Sequence, residues 1–512
     1  TWFKKESVTF RKTFFSQREV WCLANFANMA YVLFAGRAES PTSVVFFKRT
    51  SPSDDHAILT YAPFVAEQVA NRPAKVNARA GTWNIAVNGS EVRDVHNECA
   101  ITGEGLTWKL AMWGSGRDSR LLQRIRKRFD PLKSFISKRE IVAHQGFDLR
   151  SHTADEPVEY HPELEGRLRL EFSELRRSSR VFSFPPRALR QIKAEECYVR
   201  KGRATLPLKV STPPHVIVDA ARRFAVFADE FIAIPSRQIG VAGPHGSEGL
   251  LRALGLYLSS DFCIYHQFLV SPQWGIDKNL ADLDTLKQLP VPLGRLSKSE
   301  IEDWNMIQRE LVALSQKRLA PMGWDTECER RFSSLLFEVN SRVFGALGIR
   351  PFEQLLVEDF VHVNLELNKG KVTREATRAP TADEQELYLE TLRDCLDEFL
   401  SSRRGVRHKI EAIRDRESAF FSISLQRASA PVKPAISPVD HNGARSLLAL
   451  RERLRHGHSQ WLYFDRGLKI YDHKTGVLYQ FKPMQRLHWT RRQAILDSDE
   501  IIAETVSAGG TS

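Results

Sequence analysis

At the start of the chain, apolar residues first recur at the spacing of a helix and then form a run of strand length. Apolar residues recur at helical spacing from Val8 to Arg18, and a compact apolar run of strand length follows at Val20–Phe26. After turn-forming residues at 35–41, the segment Thr42–Arg49 is rich in β-branched and aromatic residues. Since a helix that leads into a buried strand is typical of α/β domains, we predict a helix followed by two paired strands.

After Arg49, the pattern of hydrophobic and polar residues changes several times along the chain. Short apolar runs separated by proline pairs predict a loop-rich, strand-rich domain, and long stretches of helical periodicity follow it. The predicted divisions are an α/β domain (1–115), a basic connector (116–140), a mixed domain (141–292), a helical spacer with short strands (293–428), a proline-containing linker (429–442) and a small α+β module (443–512).

Composition indicates a folded protein with several cores. A chain of 512 residues exceeds what one core usually organises, and its hydrophobic fraction of 42% and charged fraction of 27% are those of ordinary globular proteins. Neither a membrane-spanning apolar run nor a secretory signal is present, and the six scattered cysteines lack zinc spacing, so we predict a cytoplasmic protein with reduced thiols. Because the chain starts at Thr1 as though an element were already under way, we expect a fragment.

Positive charge narrows the range of partners. The net charge of +12 favours phosphate polyanions, with nucleic acid as the leading candidate. Cations concentrate in the connector and again between Gly166 and Arg203, where eleven of them face four glutamates. The alternative interpretation of these stretches is an ordinary solvated charged surface.

Three groups of segments resemble the N6-adenine DNA methyltransferases of restriction-modification and phage-defence systems. The first is the predicted strand pair, with its connection Phe34–Ser43. The second resembles the end of a target-recognition domain, and the third resembles a terminal extension of large members. The second comprises Leu258–Phe262, Ser271–Asp277 and Leu286–Pro292, and the third comprises Gln460–Arg466, Phe481–Pro483 and His488–Arg491.

The resemblance implies a fold and an activity. The fold class would be α/β plus α+β, with a partial Rossmann-like methyltransferase sheet at 1–115, a target-recognition domain at 141–292, a helical spacer and a small C-terminal α+β module. The activity would be methyl transfer from S-adenosylmethionine to an adenine extruded from the duplex.

Two motifs of that family are absent from the sequence. The chain has no glycine-bearing cofactor loop after a first strand and no Asn/Asp-Pro-Pro-aromatic catalytic loop; Pro185-Pro186 and Pro213-Pro214 lack the required neighbours, and Trp113–Asp118 lacks the strand-to-helix context. We therefore assign no catalytic, cofactor-binding or metal residue, and expect the chain alone neither to bind S-adenosylmethionine nor to methylate DNA.

The candidate DNA contacts lie in the predicted recognition domain. Arginines can neutralise phosphates and read guanine edges, glutamine can bond bidentately to adenine, and lysine can bind phosphate. Trp274 has an equally open alternative as a packing anchor. The candidates are Arg176, Arg177, Arg180, Arg187, Arg190, Gln273, Trp274 and Lys278.

Three functions remain open from the sequence. The leading one is the later portion of an adenine-N6 methyltransferase whose catalytic half is supplied elsewhere, acting on double-stranded DNA. The second is a non-catalytic DNA-specificity subunit of a restriction or defence complex. The third is an RNA-associated or scaffold protein that uses the same basic surface.

Overall fold

The computed structural model describes most of the chain. The described residues are 2–29, 41–64, 66–68, 83–85, 91–150, 157–175, 180–276, 278–319, 324–369, 374–401, 405–416, 418–438, 469–472 and 475–509. They form a mixed α/β protein with several small sheets. Its contacts divide it into two compact units: unit 1 contains residues 1–118, 275–277 and 355–512, and unit 2 contains residues 119–274 and 278–354.

The described chain contains runs of helices and runs of strands. The helices are α1 (Val8–Gln17), α2 (Asn97–Ile101), α3 (Gly105–Trp113), α4 (Gly116–Arg128), α5 (Leu132–Ser137), α6 (Thr205–Ser211), α7 (Glu248–Leu258), α8 (Asp261–Val270), α9 (Leu283–Lys287), α10 (Lys298–Leu319), α11 (Thr326–Leu347), α12 (Pro351–His362), α13 (Arg374–Thr377), α14 (Ala382–Phe399) and α15 (Arg491–Gly509). The strands are β1 (Glu19–Asn25), β2 (Ser43–Lys48), β3 (Ala57–Tyr61), β4 (Ala66–Gln68), β5 (Trp83–Ile85), β6 (Val92–His96), β7 (Val142–Gln145), β8 (Leu149–Arg150), β9 (Val158–Tyr160), β10 (Leu168–Leu170), β11 (Leu189–Gln191), β12 (Tyr198–Arg200), β13 (His215–Val218), β14 (Ala225–Ala228), β15 (Ile232–Ala233), β16 (Ile239–Ala242), β17 (Val406–Arg414), β18 (Ser418–Arg427), β19 (Ala435–Pro438), β20 (Lys469–Asp472) and β21 (Val477–Pro483).

The first sheet of unit 1 confirms the predicted helix and strand pair but not a Rossmann-like arrangement. Its strand order is β2-β1-β3-β6, and β1 pairs antiparallel with β2, as expected from their sequences. Only the β1–β3 pair is parallel, whereas β3 and β6 run antiparallel. Doubly wound folds are built from mostly parallel strands, so the coarse α/β prediction is confirmed and the Rossmann-like detail is not.

One face of this sheet is apolar and exposed. Cys22 lies opposite Phe46 on one side and Leu59 on the other, which puts the three side chains on the same face. Phe46 is 56% exposed and Leu59 43%. The opposite face is buried against α3 through Trp108. The sequence predicts an exposed edge or face in residues 1–115, because both predicted strands are apolar enough to be buried on both sides.

The second sheet of unit 1 changes the predicted division of the C-terminal half. Its strand order is β19-β17-β18-β21-β20, and α14 and α15 contribute to the same core. The expected linker at 429–442 contains β19, which pairs with β17. Likewise, β17 and β18 belong to this sheet, although they fall in the region assigned to the helical spacer. The predicted C-terminal module is thus built together with residues that precede it.

Charged groups are buried within unit 1. The Asp118 carboxylate, which is fully buried, accepts two hydrogen bonds from the Arg492 guanidinium, at 2.8 and 2.6 Å. In the C-terminal module, Lys482 donates to Asp497, which also accepts from the Tyr388 hydroxyl at 2.6 Å. Burial lowers the pKa of Lys482, although Asp497 opposes this shift.

A partly buried carboxylate caps α14. The Thr381 hydroxyl accepts from the Glu384 amide while the Glu384 side chain accepts from the Thr381 amide, which forms a capping box. Burial alone would raise the pKa of Glu384, but hydrogen bonds from Arg378, the Thr381 amide and Arg486 outweigh it and lower the pKa to about 2.

Unit 2 is organised around a buried antiparallel sheet with the order β14-β13-β16-β7. Helix α7 packs against β13 and β14, and α10 packs against α7. Two three-stranded sheets complete the unit, with the orders β11-β10-β15 and β8-β12-β9. The long helices predicted from helical periodicity after residue 297 are confirmed as α10 and α11. No helix in the described part of the chain is long and apolar enough to cross a membrane.

Candidate nucleic-acid interface

Residues 131–291, a segment that begins before the predicted recognition domain (141–292), have ends that meet in unit 2. Pro131 and Pro290 form an antiparallel bridge, in which the Leu132 amide donates to the Leu289 carbonyl at 2.7 Å. The Val291 amide donates to the Asp130 carbonyl at 2.9 Å. The Leu-Lys-x-Leu-Pro-Val-Pro segment therefore closes residues 131–291 into a module with adjacent ends, as in domains that tolerate insertion into other chains.

Arg180 is held inside this module by a buried carboxylate. Its guanidinium donates to Asp261, which has no exposed side-chain surface, and to the Ser259 carbonyl. Asp261 also accepts from the Asn340 amide at 2.7 Å, and Ser260 caps α8 by accepting from the Cys263 amide. The Ser259-Ser260-Asp261 part of the resemblance motif thus fastens a loop to the start of α8. In this arrangement the Arg180 charge is already compensated.

The other arginines of the basic stretch differ in their environments. Arg190 donates to both Glu196 oxygens, at 2.9 and 2.7 Å, and to Glu171 at 3.2 Å. These hydrogen bonds raise the pKa of Arg190 and lower that of Glu196. Arg187 is 70% exposed, with Glu174 at 3.9 Å. Arg176 and Arg177 lie outside the described residues.

The three candidates after α8, Gln273, Trp274 and Lys278, lie in different environments. Trp274 is 5% exposed and packs edge-on against Phe268, with ring centroids 5.4 Å apart, as the packing-anchor alternative describes. Gln273 is half-buried, and Lys278 is exposed. The Lys278 amide donates to the Gln273 carbonyl at 3.2 Å, which fixes the turn between them. Lys278 is therefore the member of this group that presents an exposed positive charge.

A second basic feature lies in the turn after β12, which we call the basic turn and define as Arg200–Arg203. All four residues are exposed, and Gly202 adopts a left-handed conformation with φ of +71°, which favours glycine. Within the part of the chain that the structure describes, no carboxylate lies within ion-pair distance of Lys201 or Arg203. The same holds for Lys209, which is exposed in the following helix α6.

The sheet that carries the basic turn also presents tyrosines. In β8-β12-β9, Tyr198 lies opposite Arg150 on one side and Tyr160 on the other. Paired residues in neighbouring strands point to the same side, so these three side chains share a face, which we call the tyrosine face. The sequence analysis did not identify this face, because the three strands become neighbours only in the folded structure.

A cavity of about 270 Å³ lies on another side of unit 2. It is lined by Phe227, Asp229, Arg252 and Gln308, among others. Arg252 stacks on the Phe227 ring at 4.0 Å and has Asp229 at 3.6 Å and the Gln308 side-chain amide oxygen at 3.4 Å. Since the Arg252 guanidinium is engaged and Asp229 is negative, the described lining of this cavity is not suited to phosphate.

The segments that could have held a methyl-donor cofactor do not fit one. In Trp113–Asp118, Gly114 ends α3, and Ser115 and Asp118 bond to each other at the start of α4, so the segment is a turn between helices. A cavity beside β1, lined by Asn25 and Tyr61, has about 10 Å³, room for roughly one water. In the described ranges, no three His, Cys, Asp or Glu side chains are placed to hold a metal ion.

Comparison with known proteins adds little to this geometry. No protein-family model and no curated protein matches the sequence. Among solved structures, the type IIG restriction endonuclease BpuSI matches with a TM-score of 0.26 and 13% sequence identity. The match covers 67% of this chain and 45% of that protein, so the chain spans less than half of its length. A TM-score this low carries no argument about the fold or function of this chain.

Proposed function

We propose that this chain binds double-stranded DNA through residues 141–292 of unit 2. The observation that carries the proposal is the basic turn, in which Lys201 and Arg203 are exposed without a carboxylate at ion-pair distance among the described residues. Cations of this kind release counterions when they meet phosphates, and this release drives binding. Lys209 and Lys278 add exposed charge to the same unit.

The resemblance supports a more specific role for this DNA binding. On that basis the chain is the recognition and C-terminal portion of a site-specific adenine-N6 methyltransferase, and a separate catalytic portion supplies the S-adenosylmethionine and catalytic loops. The closed module at 131–291 supports the recognition part of this role, since a recognition domain has to fold around its own core. The described Trp113–Asp118 turn and the small cavity beside β1 do not fit the cofactor, so no step of methyl transfer is assigned to them.

A DNA-specificity subunit without chemistry is the alternative. It shares the DNA-binding surface and differs only in having no catalytic partner portion. Adding a catalytic methyltransferase portion from the same genetic locus separates the two roles: tritium transfer from labelled cofactor to duplex DNA supports the first, and its absence supports the second.

Salt-dependent DNA binding tests the shared part of the proposal. Fluorescence anisotropy with a labelled duplex gives log affinity against log salt, whose slope falls by about 0.9 for each lost phosphate contact. We expect Lys201→Ala with Arg203→Ala to flatten the slope by about 1.8. The control is Arg309→Ala, an exposed arginine of α10 paired with Glu302. An unchanged slope in the double variant would refute the assignment of the basic turn.

A further inference from the structure

The tyrosine face combines one exposed and one half-buried aromatic ring with cations. Tyr160 is 45% exposed and Arg150 is exposed, and the Tyr160 and Tyr198 ring centroids are 5.2 Å apart at 50°. Arg200, two residues after Tyr198 in β12, points to the same side and continues into the basic turn. The face therefore joins a π-surface to a source of positive charge.

The sheet behind these side chains is anchored in the core of unit 2. Val199, which points to the opposite side, is 1% exposed and packs in a cluster with Phe147 and Ile192. Leu149 packs against the same cluster from β8. Because the inner side is fixed by packing, the outer aromatic rings are held in place before any ligand arrives, which lowers the ordering cost of binding.

Two groups of the outer face, Tyr160 and Arg150, remain accessible to a ligand. Tyr160 makes a long hydrogen bond to Glu165 at 3.4 Å and is 45% exposed. Arg150 is paired with Asp148 at 2.7 Å, but both are exposed, and such a pair contributes little and exchanges readily with a phosphate. The net positive charge beside the tyrosine face comes from the adjoining basic turn.

We propose that the tyrosine face binds unpaired nucleotides of DNA by stacking bases on Tyr160 and Tyr198 while the basic turn holds their phosphates. Every base has a planar face that stacks on aromatic rings, and cations along such a surface follow the backbone. In an intact duplex the base faces are covered by their neighbours, so the ligand is a strand with unstacked bases. This inference rests on the proposed DNA binding and specifies the state of the DNA at this surface.

The test compares two DNA ligands on the full chain. One is a fully paired duplex, and the other is the same duplex with a gap of a few nucleotides that leaves bases unpaired. Anisotropy is measured for the unmodified protein, for Tyr160→Ala with Tyr198→Ala, and for Tyr160→Phe with Tyr198→Phe, which keeps both rings. Tyr471→Ala, which removes a tyrosine 38% exposed in unit 1, is the matched control.

We expect the unmodified chain to prefer the gapped ligand. Each lost stack should lower affinity for it by about 5- to 150-fold, which corresponds to about 1–3 kcal/mol, so the double alanine variant should lose at least this much and should change little on the paired duplex. The phenylalanine variant and the Tyr471 control should behave as the unmodified chain. Thermal melting of each variant identifies any loss that comes from misfolding, and in that case single alanine replacements take the place of the double one.

The outcomes separate this inference from the proposed function. Binding of both ligands with equal affinity, or a folded alanine variant that retains the preference, overturns stacking at this face and leaves duplex binding standing. Absence of binding to either ligand overturns the proposed function itself. A preference that Tyr→Phe abolishes would show that the hydroxyls, rather than the rings, carry recognition, and would also overturn stacking.

Discussion

Replacing Arg180 separates a structural role from DNA contact. Arg180 is one of the DNA-binding arginines predicted from the sequence, but its guanidinium is bonded to Asp261, whose side chain is fully buried. Arg180→Ala would remove the cation that compensates this carboxylate, which also accepts from the Asn340 amide at 2.7 Å. Removing one partner of a buried ion pair costs about 3–5 kcal/mol. Since the Arg180 side chain is 21% exposed, we expect the lower end, about 3 kcal/mol.

This loss is measurable by two methods. In a domain of roughly 150–250 residues each kcal/mol lowers Tm by about 2–4 °C, so Arg180→Ala should lower the melting temperature of unit 2 by about 6–12 °C. Urea unfolding gives the free energy independently. Arg187→Ala is the matched control, because this arginine is 70% exposed and 3.9 Å from Glu174. Its change should stay within about 0.5 kcal/mol.

DNA binding by Arg180→Ala should be unchanged, in contrast to its stability. At a temperature where the variant is folded, Arg180→Ala should leave the slope of log affinity against log salt unchanged, because the charge is already compensated inside the protein. If Arg180→Ala melts like the control and flattens the salt slope by about 0.9, then Arg180 contacts phosphate and the structural interpretation is refuted.

Three further predictions concern unit 1. Asp118→Ala leaves the Arg492 guanidinium buried without its carboxylate, and calorimetry should show a loss of about 3–5 kcal/mol, whereas a loss under 1 kcal/mol would contradict the buried pair. Lys482→Met should be similarly destabilising because Asp497 stays buried, and a second replacement, Asp497→Leu, should recover part of the loss. Glu384 has a folded pKa of about 2 against an ordinary value of 4.5, so its stabilisation is present above pH 4.5 and is lost as pH falls toward 2. Urea unfolding at a series of pH values should show this acid dependence weakened in Glu384→Gln, and an identical pH profile would contradict it.

Elements defined by local periodicity were predicted well from the sequence. Helix α1 and the strands β1 and β2 lie where the apolar pattern places them, as do the long helices α10 and α11. In each case the pattern repeats within one continuous segment, so the signal does not depend on distant residues. The strand pair was also predicted because the two strands follow one another in sequence and are joined by a turn-rich connection.

Elements completed by distant partners were predicted poorly. Strand β18 pairs with β21, although the paired residues lie 55 to 65 positions apart, and β19 forms one edge of the same sheet. In isolation, a proline-containing segment such as 435–438 resembles a linker, because the sequence around it does not reveal the strand with which it pairs. Proline is compatible with an edge strand, which is the position that β19 occupies.

Charge counting did not separate the accessible cations from the paired ones, for a related physical reason. Eleven cations against four glutamates suggested a DNA-binding surface, but folding brings Arg190 to Glu171, nineteen positions away, and to Glu196. It also places Arg180 on Asp261, far outside the counted stretch. What matters for phosphate binding is a cation that stays exposed without a compensating carboxylate. The local sequence signal for it was the absence of acidic residues within the Arg200–Arg203 turn.

The tyrosine face could not be predicted from the sequence by any local pattern. Strands β8, β9 and β12 contain two or three residues each, too short to show an alternation of period two. Tyr198 becomes a neighbour of Tyr160 and Arg150 only through the register of two separate pairings, and a shift of either by one residue would turn the partner side chain to the buried side. Val199 and Leu149 oppose such a shift, because it would expose core residues. The packing on the inner side therefore specifies which aromatic and basic groups meet on the outer side, and the binding surface depends on the core beneath it.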